Sequence, residues 1–150
     1  MSIKVTREDV ERAVSELGVL ERVVRELQAR VLALESSISE HDRSLELLDE
    51  IAKSQSEVKG LMPIGAGVLV EGVITNINTY RVNIGENIFI DMPLDRCRSW
   101  LMLRKQRLEQ ARAETSRALQ AYLERIEAIR RFLSTIERAA REGQGEAGRS

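Results

Sequence analysis

"LMPIGAGVLVEGVITNINTYRVNIGENIFID", residues 61–91, is rich in Val, Ile and Gly and carries only four charges, Glu71, Arg81, Glu86 and Asp91. The chain on both sides is crowded with Glu, Arg, Leu and Ala. Inside the stretch, turn signals separate short β-type runs. Leu61 to Ile64 reads as one strand, and Gly65-Ala66-Gly67 turns into a second, Val68 to Thr75. Asn76 to Thr79 makes another turn. Tyr80, Val82 and Ile84 alternate with Arg81 and Asn83, the pattern of a half-buried strand. Gly85-Glu86-Asn87 turns tightly into Ile88 to Met92, since Gly and Asn both accept positive φ. The reading is four strands in two hairpins over residues 60–92.

The flanks read as helices. Residues 1–9 form an N-terminal tip, and Thr6-Arg7-Glu8-Asp9 has the form of a capping box. A heptad then runs over residues 10–59. Its a positions are Val10, Leu17, Val24, Val31, Ile38, Leu45 and Ala52; its d positions are Ala13, Leu20, Leu27, Leu34, His41, Leu48 and Gln55. Twelve of these fourteen are apolar, which marks a coiled-coil helix. Gly60 is placed to stop it. The second helix is expected over 93–142, with Pro93 in its first turn. Its stripe runs through Leu101, Leu108, Thr115, Leu119, Tyr122, Ile126, Ile129, Leu133, Ile136 and Ala140. Gly143 is expected to end it, leaving 143–150 as a disordered tail.

The two helical segments match in length, at about 75 Å each for ~1.5 Å per residue. Folded back on each other, they pair positions whose numbers sum to about 153, by matching their ends. That register sets Leu17 on Ile136, Leu20 on Leu133 and Val24 on Ile129. Charge agrees: residues 10–59 carry 7 Lys+Arg and 11 Asp+Glu, and residues 94–142 carry 12 and 7. Nearer the insert the seam is polar, with Ile38 on Thr115 and His41 on Arg112. His41, the one histidine, is read as a polar layer that fixes register. The fold class is therefore mainly α: a long antiparallel two-helix coiled coil joined by a four-stranded insert.

Composition narrows function. Charged residues make up 31% and aromatics 3%, with a net charge of -1. That balance argues against a general nucleic-acid or membrane binder. No apolar run reaches the ~20 residues of a membrane span, and Met1 to Asp9 has no apolar signal core. Cys97 is a single cysteine, read as a small buried residue of a reducing cytosol. Gly65-Ala66-Gly67 lacks the Lys-Ser/Thr of a phosphate loop, so no nucleotide is expected. There is no nucleophile–base pair and no metal-ligand cluster, so no enzyme, cofactor or metal is expected.

Two hairpins alone are marginal in water, and their edges are prone to pair. Both helices lead away from them. The insert is expected to be an oligomerisation module that joins other subunits in a closed β-barrel or sheet. Its contacts are Val68, Val70, Tyr80, Val82, Ile84, Ile88 and Ile90, with Tyr80, Val82 and Ile84 as the cleanest buried face.

The order helix, Pro63-Ile64-Gly65-Ala66-Gly67, valine-rich strand, Val82-Asn83-Ile84-Gly85-Glu86-Asn87-Ile88-Phe89-Ile90-Asp91, helix resembles the archaeal prefoldin alpha subunits over nearly the whole chain. Asn87 stands where that family has a glycine and Asp91 where it has Glu. The resemblance implies a cytoplasmic, ATP-independent chaperone subunit. It implies a hexamer of two alpha and four beta-type subunits whose arms hold non-native proteins and pass them to a group II chaperonin, with no nucleic acid and no membrane. Under this reading the client-binding tip is Val10, Val14, Leu17, Phe132, Leu133 and Ile136, where apolar residues exceed what a two-helix seam needs. Val19, Ile3 and Val5 lie nearby. The alternatives are a structural or filament-forming coiled-coil oligomer without client transfer, and a nucleic-acid-binding helical hairpin that uses the arginines of the second helix.

Overall fold

The first helix opens on a reciprocal cap. Thr6 Oγ1 accepts a hydrogen bond from the Asp9 backbone N–H at 3.2 Å, and Asp9 Oδ2 accepts one from the Thr6 backbone N–H at 2.9 Å. Two otherwise unsatisfied donors are met in this way, with Asp in the role usually taken by Glu. The computed structural model describes residues 4–54, 56–75 and 77–148. Ile3, Gln55 and Asn76 of the expectations above lie outside the described residues. Helix α1 runs Arg7–Lys53. Strands β1 (Val58–Gly65), β2 (Val68–Ile74), β3 (Thr79–Gly85) and β4 (Ile88–Pro93) follow, then helix α2 (Leu94–Ala147).

The helix ends depart from expectation. Helix α1 stops at Lys53, not at 59. The Ser54 N–H bonds the Ile51 carbonyl at 3.1 Å, which tightens the last turn. Ser54 Oγ bonds the Ser56 carbonyl at 3.1 Å, the local competition that makes serine a poor helix former. Gly60, expected as the helix stop, lies inside β1 opposite Gly72. At the other end, Gly143 does not stop α2, which continues to Ala147. A helical glycine costs only ~1 kcal/mol against alanine, so the helix continues with Gln144 beyond it.

The strands form two separate antiparallel sheets, β1 with β2 and β3 with β4. Both turns run through left-handed backbone. Gly65, Ala66 and Gly67 have φ of 114, 50 and 79°; Gly85, Glu86 and Asn87 have 132, 45 and 59°. The glycines accept these angles freely and Asn87 accepts them better than most side chains. Ile64 and Ile84 are each skipped at a bulge just before the turn.

The chain divides into two compact units, one of Met1–Ala33 with Ala111–Ser150 and one of Leu34–Gln110. In the terminal unit, Ala13, Leu20 and Val24 of α1 are buried with Ile126 and Ile129 of α2, and Leu17, Leu119, Leu123 and Leu133 pack around them. The α1 members are all a or d positions. On α2 the stripe is largely as expected, except that Leu123 packs and Tyr122 stays 38% exposed. Adjacent positions 122 and 123 straddle the same point of the 3.6-residue period. In the hairpin unit, Leu48 of α1, Val82 of β3, Met92 of β4 and Cys97 of α2 are buried together, flanked by Tyr80, Leu94, Trp100 and Leu101.

The register is not the expected one. In the hairpin unit, Asp49 pairs with Arg98 and Asp42 with Lys105, and both pairs sum to 147. In the terminal unit the pairs Glu16–Arg125 and Glu21–Arg130 sum to 141 and 151, which centre on 146. The shift from 153 is close to one heptad, and it follows from the helix end: Lys53 and Leu94, the last and first helical residues, also sum to 147. His41 donates from Nδ1 to the Ser37 carbonyl of its own helix at 2.7 Å. It is the neighbouring Asp42 that makes the ion pair to α2.

Candidate interaction surfaces

The two hairpins differ in what covers them. Hairpin β3–β4 turns one face onto its own chain: Tyr80 and its cross-strand partner Met92, together with Val82, pack on Leu48, Cys97, Trp100 and Leu101. The helices were expected only to lead away from the insert; their near ends instead cover one face of its second hairpin. Val82 and Tyr80, placed there as oligomer contacts, belong to the chain's own core. Burial raises the pKa of the Cys97 thiol, and that of the Tyr80 phenol as well. Tyr80 Oη donates to the Ile77 carbonyl at 2.9 Å. The opposite face carries Arg81, held by two hydrogen bonds to Asp91 across the strands, at 2.9 and 3.2 Å. Ile84, Ile88, Phe89 and Ile90, toward the turn, remain exposed.

Hairpin β1–β2 is apolar and exposed on both faces. Met62 and Val70 lie opposite each other on one face, and Leu61, Leu69 and Val73 lie on the other. Leu61 is 63%, Ile64 68% and Leu69 55% exposed. The Met62 side chain lies over Gly72, its sulfur 2.6 Å from where a Cβ would stand. Val68 and Val70 were anticipated; Leu61, Ile64, Leu69, Val73 and Phe89 were not. The signal was available, because Val68-Leu69-Val70 lacks the polar alternation of Tyr80 to Ile84. The one apolar face of β3 packs on its own chain. A strand with two calls for a cover on each side.

In the terminal unit the six expected tip residues fall into two groups. Val14 and Phe132 are exposed, at 54% and 37%; Val19 and Val5 add to them. Leu17 and Leu133 pack on the core, and Val10 and Ile136 are half-buried. A groove beside Phe132 is lined by Asp9, Arg12, Ala13, Glu16, Arg125 and Ile129. Two ion pairs tie the helices here. Arg125 donates to both Glu16 oxygens, at 2.7 and 3.0 Å, and Arg130 donates to Glu21 at 2.9 Å.

The Arg125 hydrogen bonds hold the Glu16 carboxyl below its usual range. A carboxyl depressed in the folded state adds stability above its unfolded pKa, and that stability is lost as pH falls through the folded value. The thermal midpoint should thus be flat near neutrality and fall on acidification below the usual carboxylate range. Glu16→Gln should lower the midpoint slightly at neutral pH and make the acid fall shallower. Identical slopes for the two proteins would assign the acid sensitivity to Asp9 and Asp91, whose pKa values are also lowered.

Of the second-helix arginines considered for nucleic acid, Arg98, Arg125 and Arg130 are in ion pairs, and Arg104 lies 4.7 Å over the Trp100 ring. They do not form a free basic stripe. Among the described residues no helix is long and apolar enough to cross a membrane, and no cluster of His, Cys, Asp and Glu could hold a metal.

Comparison with known proteins agrees with this architecture. A family model described as "Prefoldin subunit" matches residues 20–146. The prefoldin subunit alpha of Thermofilum pendens is 33% identical over 100 residues, covering 67% of this chain and 78% of its own. That of Methanopyrus kandleri is 26% identical, covering 75% and 72%. That of Archaeoglobus fulgidus is 22% identical, covering 86% and 94%. In fold, the chain is similar to filamentous PFD from Methanocaldococcus jannaschii, solved by cryo-EM. The TM-score is 0.62 at 19% identity, covering 79% of this chain and 96% of that one. With two long helices, the first of them capped and heptad-patterned, two hairpins between them and a family match over most of its length, the chain belongs to the prefoldin family, as a subunit of the archaeal alpha type.

Proposed function

We propose that this chain is the alpha-type subunit of a cytoplasmic, ATP-independent holdase. It assembles through its hairpins with beta-type subunits as a hexamer of two alpha and four beta, captures non-native proteins on the apolar residues of its terminal unit, and delivers them to a group II chaperonin. The observation that carries the reading is the first hairpin. Leu61, Ile64, Val68, Leu69 and Val70 are each more than 45% exposed, on strands whose edges are free to pair. Surface of that kind is covered in a working protein, and the family supplies subunits of matching form. The tip reading rests on Val14, Val19 and Phe132, exposed beside the buried seam.

The test is to co-express the chain with a beta-type subunit, purify the complex, and follow aggregation of a chemically denatured protein. Suppression should be the same with and without ATP, because no phosphate-binding loop is present. Release of the client on adding ATP to the purified complex alone would overturn the reading. A second assembly is favoured by one finding, the fold match to a filamentous PFD. Long filaments of the purified chain in electron micrographs, with no aggregation suppressed, would select a structural role instead.

A further inference from the structure

We infer that one flank of the hairpin unit, formed by Arg96, Arg104 and Arg107 around Trp100 and by the apolar groove beside them, binds a short segment of another protein in which acidic and large apolar residues alternate. The inference stands apart from the assembly and client readings. None of Leu61, Ile64, Val68, Leu69 and Val70 lines this groove, and none of its residues belongs to the terminal unit.

Residues 96–107, RCRSWLMLRKQR, carry five basic side chains and no acidic one. The fold neutralises two of the five: Asp49 pairs with Arg98, and Asp42 with Lys105. Arg96, Arg104 and Arg107 are exposed, and among the described residues no carboxylate pairs with them. They stand four residues before, four after and seven after Trp100, so they share its face of α2. Leu103, three residues after Trp100, adds exposed apolar surface to that face.

Trp100 joins this charge to the groove. The Arg104 guanidinium lies 4.7 Å over its ring. Stacking fixes the plane of the guanidinium and leaves its edge N–H groups to grip a carboxylate. Trp100 also lines a groove of about 500 Å³ with Leu47, Leu48, Ile51, Val82 and Leu101. Leu47 is 53% exposed at its rim. The one charged residue of the wall is Arg81, and Asp91 already holds it. Such a groove takes Leu or Phe side chains by burial, and unpaired arginines beside it select carboxylates. An extended segment that alternates the two types sends its apolar side chains one way and its carboxylates the other. A nucleic acid would meet few free cations and a groove whose walls are mostly aliphatic, which suits neither phosphate nor base stacking.

The probe is a short labelled peptide in which Leu and Phe alternate with Glu. Fluorescence anisotropy with the full chain should show binding that weakens as salt rises. The peptide should also shift the emission of Trp100, the one tryptophan of the chain. Exchanging every Glu of the peptide for Lys should weaken binding about tenfold. Leu47→Asp should weaken it about tenfold, and Arg104→Ala with Arg107→Ala about fivefold, with helicity unchanged. Arg104→Lys should lose part of the affinity, because lysine keeps the charge and not the stacked fork. Equal binding of the Glu and Lys peptides, binding to which Trp100 does not respond, or tighter binding of a single-stranded RNA oligonucleotide overturns the proposal. Those comparisons use the unmodified chain, so they decide even if a variant fails to fold.

Discussion

Leu69→Lys combined with Ile64→Lys should leave both helices folded and reduce the assembled protein to monomers. These side chains are 55% and 68% exposed, so they touch little of their own chain, and lysine at either place is solvated in the monomer. In the proposed assembly they become buried. Burying a large apolar side chain fully is worth about 1.5–3 kcal/mol. Losing two such contributions at one interface, before any cost of burying an ammonium, is roughly 3–6 kcal/mol, or about two to four powers of ten in affinity. If each subunit meets its neighbours through this element, as proposed, the loss recurs around the assembly. Light scattering on a size-exclusion column, with circular dichroism to check the helices, reads the result. An unchanged mass with both lysines confirmed would mean that the first hairpin is not the assembly surface.

Val82→Lys is the contrasting variant. The sequence alone singles out Val82 as an interface residue because it alternates so cleanly with Arg81 and Asn83. Only 9% of it is exposed, against Leu48, Met92 and Cys97 of the same chain. A lysine there should destabilise the hairpin unit itself, so its loss of mass would say nothing about assembly. Alternation reports that one face is buried, and does not report by whom.

The same limit applies to the register. A heptad seam reads nearly the same after a slip of seven residues, because a meets apolar and d meets apolar again. Matching arm lengths seemed to choose 153, but that choice depended on ending the first helix at Gly60. Ser54 and Ser56 end it at Lys53 instead, and the ion pairs Asp42–Lys105 and Asp49–Arg98 follow the shorter helix. What was legible was long-period and redundant: twelve apolar heptad positions, two turns rich in glycine, a capping box at Thr6. What was not legible hung on single polar residues. A helix that ends six residues earlier than its heptad pattern goes with a pairing nearly a heptad away from the expected one.

The largest functional effect is expected at the terminal unit. Unfolded clients share exposed apolar surface and no common sequence, so a site for them must work by non-directional burial, worth ~25 cal/mol per Å². Few side chains here are free to supply it: Val14, Val19 and Phe132 are exposed, while Leu17 and Leu133 are already packed against the seam. One chain should thus bind weakly, and several chains on one assembly should bind by avidity. Val14→Asp with Phe132→Asp replaces two exposed residues and spares the buried cluster of Ala13, Leu20, Val24, Ile126 and Ile129. The oligomer should form and the helices should melt near the unmodified temperature. Suppression of aggregation should fall at least tenfold in effective concentration, since each chain loses two of the exposed apolar side chains Val5, Val14, Val19 and Phe132 and avidity multiplies the loss. Deleting residues 1–19 together with 131–150 should go further and abolish it, with the hairpins untouched. If that truncated oligomer protects a denatured protein as well as the full chain does, clients are held elsewhere, on the hairpins or on the helical segments beside them.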